Sequence, residues 1–164
     1  MRFSPCILAY FFNYNNLCKI HPITHYNRDI YHYDVKYDLY RYGSKNRKLY
    51  KKQKNYINFV QDHHIIPKQW KNHPVVRDIN YDINSSNNLM IMPIPQAIFS
   101  LNINPNLRTH YKGHSKYNIY VKNILDNIDK MGSLDDKKYC FWLFYHFVIP
   151  ELKLTSGSID LPWT

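Results

Sequence analysis

Hydrophobic residues in this chain come in short bursts separated by polar, Asn-rich stretches. Tyr56-Ile57-Asn58-Phe59-Val60 runs into Asp62-His63-His64-Ile65-Ile66-Pro67, and the aromatic and β-branched content predicts a strand over 56–67. Pro67 closes it, since proline cannot continue a central strand. Leu89 to Met92 predicts a second short strand, ended by Pro93 and Pro95. Between the two, 70–76 reads as a loop with Trp70 in the core, and 77–87 as polar and turn-rich. Upstream, Tyr31, Tyr33, Val35, Tyr37 and Leu39 recur at every second position, which predicts an amphipathic strand within 28–43. Ser115 is a good N-cap for a helix from Lys116, and Tyr117, Val121, Ile124, Leu125 and Ile128 fall on one face of it. Gly132 and Ser133 end that helix. The aromatic run Tyr139 to Ile149 predicts a buried helix or strand stopped by Pro150, with a loose tail after it.

The order strand, strand, helix predicts a small α+β core at 56–130. Residues 1–55 then form an N-terminal extension and 131–164 a C-terminal apolar element and tail. A length of 164 residues suits one domain with extensions. Enrichment in Asn, Lys, Ile and Tyr is discounted as a trace of an AT-rich genome. Charge changes the picture more. Twenty-two Lys and Arg oppose twelve Asp and Glu, a net charge of +10, which favours an anionic partner, nucleic acid before a membrane surface. Seven basic residues and no acidic one lie between Arg41 and Lys54: Arg41, Lys45, Arg47, Lys48, Lys51, Lys52 and Lys54. Phosphate contact is their natural use, because basic side chains release counterions from a polyanion.

Cys6, Cys18 and Cys140 include no Cys-x-x-Cys pair, which speaks against a disulfide framework or a cysteine zinc site and favours an intracellular setting, cytoplasmic or nuclear, with secretion left open. The first residues have a faint look of a signal peptide, but with one basic residue, an early proline and no small-residue cleavage site they read as mature sequence. No apolar run approaches the ~18 residues of a membrane span.

The candidate chemistry lies in the histidines. His63 and His64 are adjacent, His73 precedes Pro74, and His110 and His114 stand just before the predicted helix. Hydrolysis of a phosphodiester needs a base to activate water, positive charge on the developing phosphorane, and help for the leaving oxygen. Imidazole is a suitable general base near neutral pH. Imidazole, carboxamide oxygen and carboxylate can all hold a divalent ion. Neighbouring residues on a strand point to opposite faces, so His63 and His64 share one site only where the strand ends or bulges.

These pieces resemble the His-Me finger (HNH, or ββα-metal) nuclease superfamily, and within it the branch with an Ala-His-His or Trp-His-His motif found in toxin nuclease domains. The matching elements are His63-His64-Ile65-Ile66-Pro67, Trp70 with His73-Pro74, Asn88 ahead of Pro93, and His110-x-x-Gly113-His114-x-x-Tyr117 with Val121. The resemblance implies a ββα-metal core and a metal-dependent endonuclease cutting DNA, with RNA as the alternative. Low sequence specificity is expected because no further reading module is recognisable in so short a chain. It implies His64 as general base and His63, Asn88, His110 and His114 as holders of a divalent ion, Mg²⁺ or Zn²⁺. Asn88 would support either the metal or the loop carrying the base, and His110 and His114 either the metal or the scissile phosphate. Arg41 to Lys54 would contact the nucleic-acid backbone. Asp62 stands where this branch has Ala or Trp, which makes it a further candidate ligand. The rival reading is a non-catalytic nucleic-acid-binding module in which His63, His64, His110 and His114 close a structural zinc site.

Overall fold

A computed structural model describes residues 38–106, 109–110 and 115–155, with side chains described as far as 146. Residues 33–164 form one compact unit, and a second unit, 1–32, lies outside the described residues. The described elements are helix α1 (Lys45–Gln53), strand β1 (Val60–His64), helix α2 (Pro74–Asp78), strand β2 (Leu89–Pro93), helix α3 (Ser115–Asp129) and helix α4 (Leu134–Thr155). Short 3-10 turns stand at Lys68–Trp70, Ser86–Asn88 and Pro95–Ala97. The fold is α+β, a two-stranded antiparallel sheet with helices, consistent with a small ββα core.

The register is unbroken: Val60 faces Pro93, Asp62 faces Ile91, His63 faces Met90 and His64 faces Leu89. Directly opposed residues share a face of the sheet. One face therefore carries Val60, Asp62 and His64 with Pro93, Ile91 and Leu89. The other carries Gln61 and His63 with Met92 and Met90. Every residue of β2 is buried, so both of its faces are covered. On the Val60 face, Val60 and Ile91 pack with Tyr50, Tyr56, Phe59 and Leu101. On the His63 face stands Tyr117 of α3, its ring 5.4 Å from that of His63.

Helix α3 begins at Ser115 and buries Tyr117, Val121, Ile124, Leu125 and Ile128, the apolar face expected of it. It packs against α2 and α4. Ser133 starts α4, its Oγ accepting from the Asp136 N–H at 3.1 Å. Cys140, Phe141 and Phe144 of α4 are buried, with Phe144 against Tyr120 of α3 and Phe141 against Tyr81.

Four expectations need correction. The strand expected over 56–67 is confined to Val60–His64, because Asn55 and Asn58 take positive φ angles of 56° and 69° and turn the chain. Of the strand expected over 28–43, the described part, 38–43, is turns. The loop expected over 70–76 gives way to α2, capped by His73 with Pro74 at its first position, where proline's missing N–H is harmless. Finally, α4 continues past Pro150 to Thr155. Proline removes one backbone donor from a helix, and here the helix runs on either side of it.

Candidate functional site

β1 ends in the two histidines, and the regular register sends them to opposite sides of the sheet. His63 is buried on the helix side, with its ring 5.6 Å from that of His110 in an edge-to-face arrangement. The backbone places His110 there: its N–H donates to the Pro93 carbonyl at 2.7 Å, docking the segment before α3 onto the end of β2. Tyr117 completes the enclosure. Its hydroxyl donates to the Ile65 carbonyl, and burial pushes its pKa far above the ordinary tyrosine value.

His64 lies on the other side. Its ring is 4.8 Å from that of Tyr42, and the Lys68 ammonium sits 4.9 Å above the Tyr42 ring. Burial lowers the His64 pKa below its ordinary value; the Asn84 side chain and Asp62 oppose this, while Lys68 and Arg47 add to it. The imidazole is therefore neutral at neutral pH and able to accept a proton.

The loop after His64 is held by Asn88. The Asn88 side chain is wholly buried, its Oδ1 accepting from the Ile66 N–H at 2.7 Å. Its Nδ2 donates to the carbonyls of Ile66 at 3.0 Å and Ile83 at 2.8 Å. The Asn88 carbonyl also accepts from the Ile65 N–H at 2.9 Å. Of the two roles expected for this residue, the geometry is that of a support for the loop. A carboxamide spent in this way on backbone groups in a closed site is poorly placed as a metal ligand.

Asp62 is likewise engaged. Its carboxylate accepts from Arg47 Nε at 2.7 Å and pairs with Lys51 Nζ at 2.8 Å. This corrects two expectations. Asp62 is committed to α1 on the His64 face, away from the His63–His110 pair, which removes it as a ligand beside them. Arg47 is 1% exposed and cannot reach a phosphate. Lys51 points at Asp62, and Arg41 pairs with Asp82. Four members of the basic run, Lys45, Lys48, Lys52 and Lys54, are exposed. The first three fall on one face of α1 at helical spacing.

His73 caps α2, with Nδ1 accepting from the Val75 N–H at 3.3 Å and Nε2 3.1 Å from Asp126 of α3, a structural use. Trp70 packs toward α3 and its Nε1 donates to the Asn118 carbonyl at 3.1 Å. His114 lies outside the described residues, as do His21 and His25. Among the described residues no group of three or more His, Cys, Asp or Glu side chains converges as a metal site. None of the described helices is long and apolar enough to cross a membrane. Sequence reasoning missed Tyr42, Asn84 and Lys68 beside His64. The only local signal was the Tyr42-Gly43 turn, where Gly43 takes a φ of 77° that a side chain would disfavour.

Residues 47–139 match the model of the AHH family, described as a nuclease family of the HNH/ENDO VII superfamily with conserved AHH. The sole adjacent histidine pair in that range is His63-His64, preceded by Asp62 in place of alanine. No curated protein and no solved structure matches the chain.

Proposed function

Because the chain belongs to the AHH nuclease family of the HNH/ENDO VII superfamily, we propose that it is a metal-dependent endonuclease hydrolysing phosphodiester bonds of DNA, with RNA as the alternative substrate. The observation that carries the finer reading is the pairing of His63 with His110 on the sheet face that meets α3. Two imidazoles bound to one ion at ~2.1 Å would have ring centres roughly 5 Å apart, close to the separation found here. The donor set fits a divalent ion, with His114 proposed as the third imidazole.

When bound, the ion supplies positive charge for the developing phosphorane and for the leaving oxygen. The chain does the rest. His64, one residue beyond His63, takes the proton of the attacking water on its imidazole nitrogen, and burial keeps that nitrogen unprotonated at neutral pH. Asn88 and Tyr117 hold Ile65 and Ile66, and so fix where the strand ends and His64 stands. Lys45, Lys48, Lys52 and Lys54 are the proposed backbone contacts. Low sequence specificity is proposed as well, the described residues including no base-reading module.

A closed zinc site of His63, His64, His110 and His114 is less well supported, because it needs His63 and His64 within bonding distance of one ion although the strand sends them to opposite sides. The nuclease reading needs them only to flank one phosphate where β1 ends. The test is nicking of supercoiled plasmid in Mg²⁺, Mn²⁺ or Zn²⁺ and in EDTA, beside His64→Ala. Metal-dependent nicking abolished by the substitution is expected. Binding without cleavage under every metal would overturn the reading.

A further inference from the structure

We propose that Tyr42, backed by Lys68, is a stacking platform for one unpaired base beside His64, so that this nuclease selects single-stranded or frayed nucleic acid. The inference rests on the reading of His64 as the reacting end of the site. Tyr42 is 44% exposed, yet it is mounted firmly. Its N–H donates to the Asn84 carbonyl at 2.9 Å. On one side of it Asp38 accepts from the Ser86 N–H at 2.7 Å, and the adjoining Arg41 pairs with Asp82. On the other side Gly43 turns the chain into the Ser44 cap of α1. The 38–43 segment is thus pinned to the 82–86 loop, and the ring is presented to solvent next to the histidine.

A tyrosine whose ring contacts among the described residues are an imidazole and an ammonium contributes little to an apolar core. Its chemistry suits a ligand with a π face and a negative charge, which is a nucleotide. Lys68 is exposed, and an exposed cation–ring contact is weaker than a base–ring stack. A base can therefore displace the ammonium from the ring, leaving it to pair with the adjoining phosphate. Lys45 lies three residues along, at the start of the exposed face of α1, and continues the positive track. In an intact duplex each base is covered by its neighbours, so only an unpaired or extruded base can occupy the ring. Stacking is tolerant of base identity, since every base has a π face.

The test is binding by the full chain in metal-free buffer, read by fluorescence anisotropy on three probes of equal length: an oligothymidylate, an abasic sugar-phosphate chain, and a blunt duplex. Tyr42→Ala is expected to weaken oligothymidylate binding roughly tenfold and leave the abasic chain unchanged. Tyr42→Phe should retain the wild-type preference. Tyr42→Leu, which keeps an apolar cover on His64 and serves if the alanine variant folds poorly, should lose it as alanine does. Oligouridylate should repeat the pattern. Equal losses on the oligothymidylate and the abasic chain, no loss on either, or wild-type preference for the duplex would overturn the platform. Cleavage is scored separately. A wild type that cuts without base-dependent binding removes only the platform, and one that binds bases through Tyr42 but cuts under no metal removes only the nuclease reading.

Discussion

The two faces of β1 carry different chemistry although one residue separates them. On the face of His63 the neighbours are neutral or aromatic: His110, Tyr117, Met90 and the apolar side of α3. On the face of His64 the apolar floor of Leu89 and Ile91 is flanked by groups that are charged or exposed: Arg47, Asp62, Lys51, Tyr42 and Lys68. The difference suits the two tasks proposed for these histidines. A pair of imidazoles that must converge on an ion needs a rigid, water-poor wall. A base that must meet water and an anionic substrate needs access and positive charge nearby. The two-residue period of a strand delivers both from adjacent positions without a bulge.

The largest expected effect separates the faces by function. His64→Ala should lower the cleavage rate by about 10²–10⁴-fold while leaving metal uptake intact. His63→Ala should instead abolish metal uptake, measured by calorimetry with Zn²⁺ or Mn²⁺. If both variants lost metal equally, the two histidines would share one site and the division would be wrong.

Next comes stability on the charged face. Asp62→Ala restores the family's alanine, yet it should destabilise this chain by roughly 2–4 kcal/mol, because it leaves the buried Arg47 guanidinium without its carboxylate. Adding Arg47→Met should recover most of the loss, since replacing both partners by apolar groups is often near neutral. Urea denaturation of the two variants decides it. A harmless single substitution would mean that Arg47 is held by its other contacts.

A smaller effect concerns binding. Replacing Lys45, Lys48 and Lys52 together by alanine should reduce the slope of log binding constant against log salt by about 2–3 on duplex DNA. Arg47 and Lys51, committed to Asp62, should contribute nothing to that slope. A variant with unchanged slope would move the nucleic-acid track off α1.

These assignments differ in how far they could be read from the chain. Helix α3 was legible because its apolar face repeats at helical spacing, and β2 because proline bounds a short apolar run. The nuclease reading came from the ordered histidines. Helix α1 was hidden, since its inward face is made by Arg47, and a buried guanidinium paired with Asp62 leaves no apolar periodicity to detect. For the same reason the basic run read as a uniform phosphate contact. Asn88 was recognised, but either of two roles was open until its three hydrogen bonds showed where the carboxamide is used. Tyr42 was illegible because its position depends on the pairs Asp38–Ser86 and Arg41–Asp82, whose members lie 48 and 41 residues apart in the chain.

The smallest expected effect sharpens the contrast from the helix side. Asp126 of α3 pairs with Lys122 at 2.6 Å and with His73 of α2 at 3.1 Å. The hydrogen bonds from Lys122 and His73 lower its pKa from the ordinary 3.8. A lowered carboxylate pKa in the folded state contributes stability that is fully present above the ordinary value and is lost as pH falls through the folded one. Asp126 is 40% exposed as a side chain, so water screens the pair and its contribution is about 0.2–1 kcal/mol. Asp126→Asn should therefore lower the melting temperature slightly at neutral pH, and the gap between variant and wild type should close below pH 3.8. If the helix side owes its rigidity to the buried face of α3, the loss stays small. A loss as large as that of Asp62→Ala would mean that ion pairs, rather than apolar packing, hold the wall on which His63 and His110 meet.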